Sequence, residues 1–221
     1  MQNGNNKFIY FPGLNILVLF LLSFASVNAQ TIVENGVLDL RQEDFRDEVI
    51  KLNGEWAFYW NEHLEPNDFK EANKPAPDTW GQVPSYWTSY TEDIPNIKAT
   101  GYASYRLNIL LPDNVRQLVF DIPVFDSSFR IYIDGRLAGS SGVVGKSKAE
   151  TKAAYEPFFY RHNHNDGEIE IIVNVSNYHH RRGGFWLPMR MARPDTMLSD
   201  IEGQKTLTGI LTGILLSFAL F

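Results

Sequence analysis

Asn177, His179, His180, Arg181, Arg182 and Trp186 crowd into the single run Ser176-Asn177-Tyr178-His179-His180-Arg181-Arg182-Gly183-Gly184-Phe185-Trp186. An arginine can clamp an anionic group through two parallel hydrogen bonds, and an indole offers a flat apolar face to a sugar ring. Gly183-Gly184 would let backbone approach closely. These six residues are the candidate ligand-binding set; a solvated basic loop resting near lipid headgroups is the competing reading. A metal could be built at His162-x-His164 or His179-His180, because two His one residue apart on a strand face the same side. His162 and His164 stand beside Asn163, Asn165 and Asp166, the composition of a solvated turn, so no metal is expected. Catalysis finds no support. The chain has no G-x-S-x-G elbow, no HExxH and no phosphate-binding glycine loop. Carboxylates are plentiful, but local sequence places no pair on facing strands. Asp121, Asp126 and Asp134 read as turn and edge residues. No catalytic residue and no cofactor are expected.

Such a loop needs a scaffold, and residues 101–142 show its kind. In residues 104–111, Tyr105, Leu107, Ile109 and Leu111 alternate with Ser104, Arg106 and Asn108, the period of a strand with one buried face. Pro112-Asp113-Asn114 breaks the run. Residues 118–123 and 128–134 follow as strands, and Asp134-Gly135 marks a hairpin, since a two-residue turn of the favoured hand needs positive φ. Residues 168–176 alternate strictly, with Ile169, Ile171, Val173 and Val175 on one side. Earlier, residues 37–40 and 49–60 are strands. Asn53-Gly54 marks a turn or bulge, and Trp56, Phe58 and Trp60 share a face best explained as core. Residues 61–78 and 88–100 read as polar surface connections. Pro84 confines residues 80–87 to an edge strand or crossing segment. Residues 139–151 read as a mobile loop, 155–160 as a short aromatic strand, 161–167 as a turn and 185–191 as the closing strand. Eight or nine strands without βαβ spacing predict an all-β, antiparallel jelly-roll or galactose-binding-like β-sandwich.

The 221 residues suffice for one sizeable core. A formal charge of −6, from 20 Lys+Arg against 26 Asp+Glu, excludes a nucleic-acid footprint. Residues 1–29 have the form of an export signal, with Lys7 ahead of the apolar run 16–22 and Val27-Asn28-Ala29 at the cleavage point. Cleavage after Ala29 would leave −7, and the lack of any cysteine suits a bacterial periplasm or cell surface. Residues 206–221, TLTGILTGILLSFALF, are apolar all round and uncharged. At 1.5 Å per residue they reach roughly 24 Å, so they read as the first part of a transmembrane helix of a longer chain. The expected domains are therefore a signal peptide at 1–29, an extracytoplasmic sandwich at 30–200 and a membrane entry at 206–221, joined by a short linker at 193–205.

Several motifs follow one another in a particular order: LNGEWAFYW (52–60), VPSYW (83–87), GYASYRLNI (101–109), FRIYIDGRLAGSSG (129–142) and VSNYHHRRGGFW (175–186). This order resembles the extracytoplasmic, carbohydrate-binding-like jelly-roll domain of bacterial seven-transmembrane receptors with diverse intracellular signalling modules. The resemblance implies a sensor in the bacterial inner membrane, its sandwich in the periplasm, relaying binding of a small molecule to a kinase or cyclase output. The partners so implied are a ligand, most simply a saccharide, and a membrane, with homodimerisation left open. The same motifs resemble the sugar-binding N-terminal domain of family 2 glycoside hydrolases, which implies instead the accessory front of an exported enzyme. A structural module anchored by one helix is a third reading. Neither resemblance transfers ligand residues, so the six candidates rest on their own chemistry.

Overall fold

The computed structural model describes residues 32–70, 74–125 and 127–219. In chain order its strands are β1 (Val37–Asp39), β2 (Ile50–Lys51), β3 (Gly54–Trp60), β4 (Thr79–Val83), β5 (Ser85–Tyr86), β6 (Gly101–Leu110) and β7 (Gln117–Ile122). They continue as β8 (Ser128–Ile133), β9 (Arg136–Ser141), β10 (Phe158–Asn163), β11 (Glu168–Asn177), β12 (Gly184–Phe185) and β13 (Arg190–Ala192), before one helix, α1 (Pro194–Ala219). The larger sheet runs β4-β3-β6-β11-β8-β9, with β1 parallel to the far end of β6. A smaller sheet runs β10-β7-β13-β2, and β12 pairs with β5 in a separate ribbon. All pairings but that of β1 are antiparallel. The expected all-β sandwich is the observed fold.

The reason lies in the alternation. Ile169, Ile171, Val173 and Val175 of β11 are all fully buried. They pack with Tyr105, Leu107 and Ile109 of β6 and with Phe129, Ile131 and Ile133 of β8, in one core with Leu118, Phe120 and Ile122 of β7. Burying each such aliphatic side chain contributes about 1.5–3 kcal/mol. A one-residue slip of β11 would expose all four, so the core itself enforces the register, which runs unbroken from Glu168↔Leu110 to Asn177↔Gly101. Trp56 and Phe58 are core as expected, and Trp60 packs edge-on against Trp87, ring centroids 5.1 Å apart. The Asp134-Gly135 hairpin joins β8 to β9 with φ of +48° and +72°, the left-handed pair that this turn demands. Pro84 lies between β4, an edge strand, and β5, as a residue without an N–H must.

Several expectations need correction. Among the described residues thirteen strands replace eight or nine, because β2, β5 and β12 are two-residue pairings too short to show a period. The closing strand is two: Gly184–Phe185 joins the ribbon and Arg190–Ala192 the smaller sheet, with Pro188 between them. Residues 61–78 are not merely a surface connection. Leu64 and Phe69 fold back onto the outer face of the larger sheet and form a second small core with Tyr59 and Ile172. Arg106 lies 4.6 Å over the Phe69 ring and pairs with Glu170 at 2.7 Å. The segment 139–151 finishes β9 and is then tied down. Val143 and Lys152 exchange backbone hydrogen bonds of 2.8 and 3.0 Å, and the Gly145 N–H donates to Ser176 Oγ at 3.1 Å. His162 lies in β10, and both it and His164 are buried, where a solvated turn was expected. Their polar neighbours hide an alternation with Phe158 and Tyr160.

The linker expected at 193–205 is helical, since α1 begins at Pro194 and runs unbroken into the apolar segment. Its start is docked: Met197 is buried, and Arg190 of β13 bonds Asp121 of β7 and Asp200 of α1 together. Leu207, Ile210 and Leu211 are exposed. Among the described residues no helix is long and apolar enough to cross a membrane. The export signal at 1–29, and Asp126, lie outside the described residues.

Candidate ligand-binding platform

The loop after β11 is built by Asn177. That side chain is 1% exposed. Its Nδ2 donates to Ala99 O and His180 O, both at 2.8 Å, while its Oδ1 accepts from the His180 N–H at 3.0 Å. All three bonds go to backbone, so Asn177 shapes the loop and cannot reach a ligand, a correction to its place in the candidate set. His180 turns back on the loop as well, its Nδ1 2.9 Å from Arg182 O. His179 is exposed, yet its Nε2 sits 3.1 Å from Thr151 O, tying this loop to the neighbouring one. Arg181 is exposed and, among the described residues, makes no hydrogen bond or ion pair.

Arg182 and Trp186 do come together, around a residue that the sequence did not flag. In the ribbon, Gly184 lies opposite Tyr86. Arg182 and Trp186, on either side of this glycine in the chain, both meet Tyr86. The Arg182 guanidinium lies 4.8 Å over the Tyr86 ring and its Nη1 donates to Tyr86 Oη at 2.9 Å. The Trp186 and Tyr86 rings are 6.2 Å apart and 27° from parallel. A side chain at position 184 would break this row: a Cβ there would meet Trp87 N at 2.7 Å and Ser85 O at 2.8 Å, and φ is +125°. Gly183 is equally constrained, its Cβ position falling 2.2 Å from Trp87 Cζ2. The two glycines thus bring backbone close to Trp87 and Tyr86, not to a ligand. Trp186 Nε1 is buried and has no hydrogen-bond partner among the described residues, so the half-buried indole turns carbon surface outward. The result is a short row of guanidinium, phenol and indole, suited to holding a ring by stacking and an acceptor by hydrogen bonds.

Two other clusters resemble sites and are occupied by the fold. Asp134, His162 and His164 bring ligand-type atoms within 4.8 Å of one another. Asp134 Oδ2 lies 2.7 Å from His162 Nε2, and its Oδ1 accepts the Glu170 N–H at 2.9 Å. The Gly167 N–H donates to His164 Nε2 at 2.9 Å, which leaves Nδ1 as the protonated nitrogen of the neutral ring. Burial pushes the His164 pKa down and favours that neutral form. Each member already has a protein partner, and the trio fastens β10 to the β8–β9 turn. Ser176 and His63 lie 3.1 Å apart, the spacing of a nucleophile and its base. Ser176 is fully buried, however, and its hydroxyl donates to Gly145 O at 2.8 Å, so the pair pins the 143–152 segment. Burial, foremost, and then the charges of Lys146 and Arg130 hold the His63 pKa below its usual value.

No protein-family model matches the chain, and no curated protein matches it. Solved structures do. A GH2 β-galacturonidase from Eisenbergiella tayi bound to glycerol is 15% identical over 66% of this chain and 24% of that one, with a TM-score of 0.47. A β-glucuronidase from an uncultured Clostridium sp. is 20% identical over 65% and 28%, with a TM-score of 0.46. The Ruminococcus gnavus β-glucuronidase is 13% identical over 67% and 28%, with a TM-score of 0.48. The chain spans about a quarter of the length of each. These likenesses do not address a receptor setting; the fold itself is read from the chain's own strand pairings.

Proposed function

We propose that the sandwich is a non-catalytic module that binds a saccharide on the Arg182–Tyr86–Trp186 row. The observation that carries this reading is the row itself: an indole and a guanidinium both held against Tyr86, at a two-stranded ribbon where Tyr86 faces a glycine. Isothermal titration against mono- and oligosaccharides tests it. Trp186→Ala and Tyr86→Ala should each weaken binding at least tenfold, with the melting temperature little changed, because neither ring belongs to the main core. Full affinity in both variants, or no binding of any sugar, refutes it.

Two settings suit such a module: the accessory front of an exported glycosidase, and the outer part of a bacterial membrane receptor with a kinase or cyclase output. The second draws on α1, which starts at Pro194, directly after β13, and carries Leu207, Ile210 and Leu211 exposed. Flotation of the full chain with lipid vesicles checks that setting. A chain left wholly in the aqueous fraction excludes it.

A further inference from the structure

We propose that the saccharide is an acidic one, a uronic-acid-type sugar whose carboxylate lies against Arg182 while its ring covers Trp186. This rests on the saccharide reading and adds the charge of the ligand.

The first ground is electrostatic. The chain carries −6 overall, yet residues 177–186 include two arginines and no carboxylate. Arg41 and Arg46, by contrast, are each neutralised locally, by Asp39 and Asp44 two residues away. Among the described residues neither Arg181 nor Arg182 has a carboxylate within 4.0 Å. The second ground is geometric. Stacking on Tyr86 and the bond from Nη1 to Tyr86 Oη hold the Arg182 guanidinium in one plane before any ligand arrives, so little rotamer freedom is lost on binding. Its Nε and Nη2 make no hydrogen bond among the described residues, and that edge matches the two oxygens of a carboxylate. The third ground is the shape of the row. The guanidinium stands at one end and the indole at the other, with Tyr86 between, so a pyranose on the indole presents its exocyclic group to Arg182.

The test uses the full chain in a detergent without a sugar headgroup and pairs of glycosides that differ only at C6: glucose and glucuronate, galactose and galacturonate, mannose and mannuronate, as mono- and trisaccharides. At least one acidic member should bind about tenfold more tightly than its neutral twin at low salt, with the gap narrowing as salt screens the exposed charges. Arg182→Gln should erase that preference, bringing acidic binding down to that of the neutral twin in the same variant; Arg182→Lys should restore it only in part, since an ammonium lacks the fork. Equal binding of acidic and neutral twins overturns the acidic inference and leaves the saccharide reading standing. Binding of no sugar removes both. Binding to phosphatidylglycerol vesicles and to no sugar overturns both in favour of a lipid-facing loop.

Discussion

Replacing Arg190 by methionine removes the joint between the sandwich and α1. The guanidinium on β13 donates through Nε to Asp121 on β7 at 2.9 Å and through Nη1 to Asp200 on α1 at 2.8 Å. Gln204 holds the same Asp200 oxygen at 2.8 Å. At an effective dielectric of about 20, unit charges about 4 Å apart attract by about 4 kcal/mol. Desolvation of the three groups offsets most of that. Breaking a fully buried pair costs about 3–5 kcal/mol. Here the three side chains are 19–28% exposed, so about 2–3 kcal/mol is the expected loss, part of it from two carboxylates left facing each other. Asp200→Asn, which keeps the Asp121 pair, should cost only about 1 kcal/mol. Because Asp121 and Asp200 share one guanidinium, their asparagine variants should couple by at least 0.5 kcal/mol in a double-mutant cycle. Urea unfolding followed by the fluorescence of buried Trp56 and Trp87 gives the energies. Hydrogen exchange in residues 197–204 reports the docking directly and should accelerate several-fold in Arg190→Met. A stability within 0.5 kcal/mol of the parent, with unchanged exchange in α1, would refute the reasoning.

Asn177→Ala deletes three buried bonds to backbone and should cost about 2–3 kcal/mol by urea unfolding, because Ala99 O, His180 O and His180 N lose their partners; ligand affinity should fall with it, as the loop that places Arg182 loosens. Burial holds the pKa values of His63 and His164 below the ordinary histidine value. The unfolded chain therefore binds more protons as pH drops below about 6.5, so stability is complete above that point and declines from it toward the lower folded-state values. His63→Gln with His164→Gln should flatten the decline between about pH 6.5 and 5 in melting curves; an unchanged slope would place its origin elsewhere.

The larger sheet was legible because its strands carry their own evidence. The four aliphatic residues of β11 alternate without exception, and Asp134-Gly135 announces its turn. β10 was harder to see, since His162 and His164 fill inward positions with side chains whose burial depends on Asp134 and on the Gly167 N–H, partners that local sequence does not show. The platform divides the same way. Arg182 and Trp186 were recognisable by type. Asn177 looked identical to a ligand residue because an amide on a loop bonds equally well to a sugar or to backbone, and only the fold decides. Tyr86 left one clue, its alternation with Trp87, which is fully buried beside it. Its pairing with Gly184 is a long-range fact that no local pattern records.

That pairing, of Gly184 with Tyr86, joins residues 98 positions apart. Closing so long a loop costs entropy that only the completed sheets can offset, so the row is absent from the unfolded chain. Whatever binds there binds the native state alone. Its concentration then acts on the folding equilibrium by mass action, adding about 2.7 kcal/mol at a hundredfold excess over Kd. A chain sampling unfolded states would be drawn toward the native one by its own ligand, and its abundance would follow the ligand's supply.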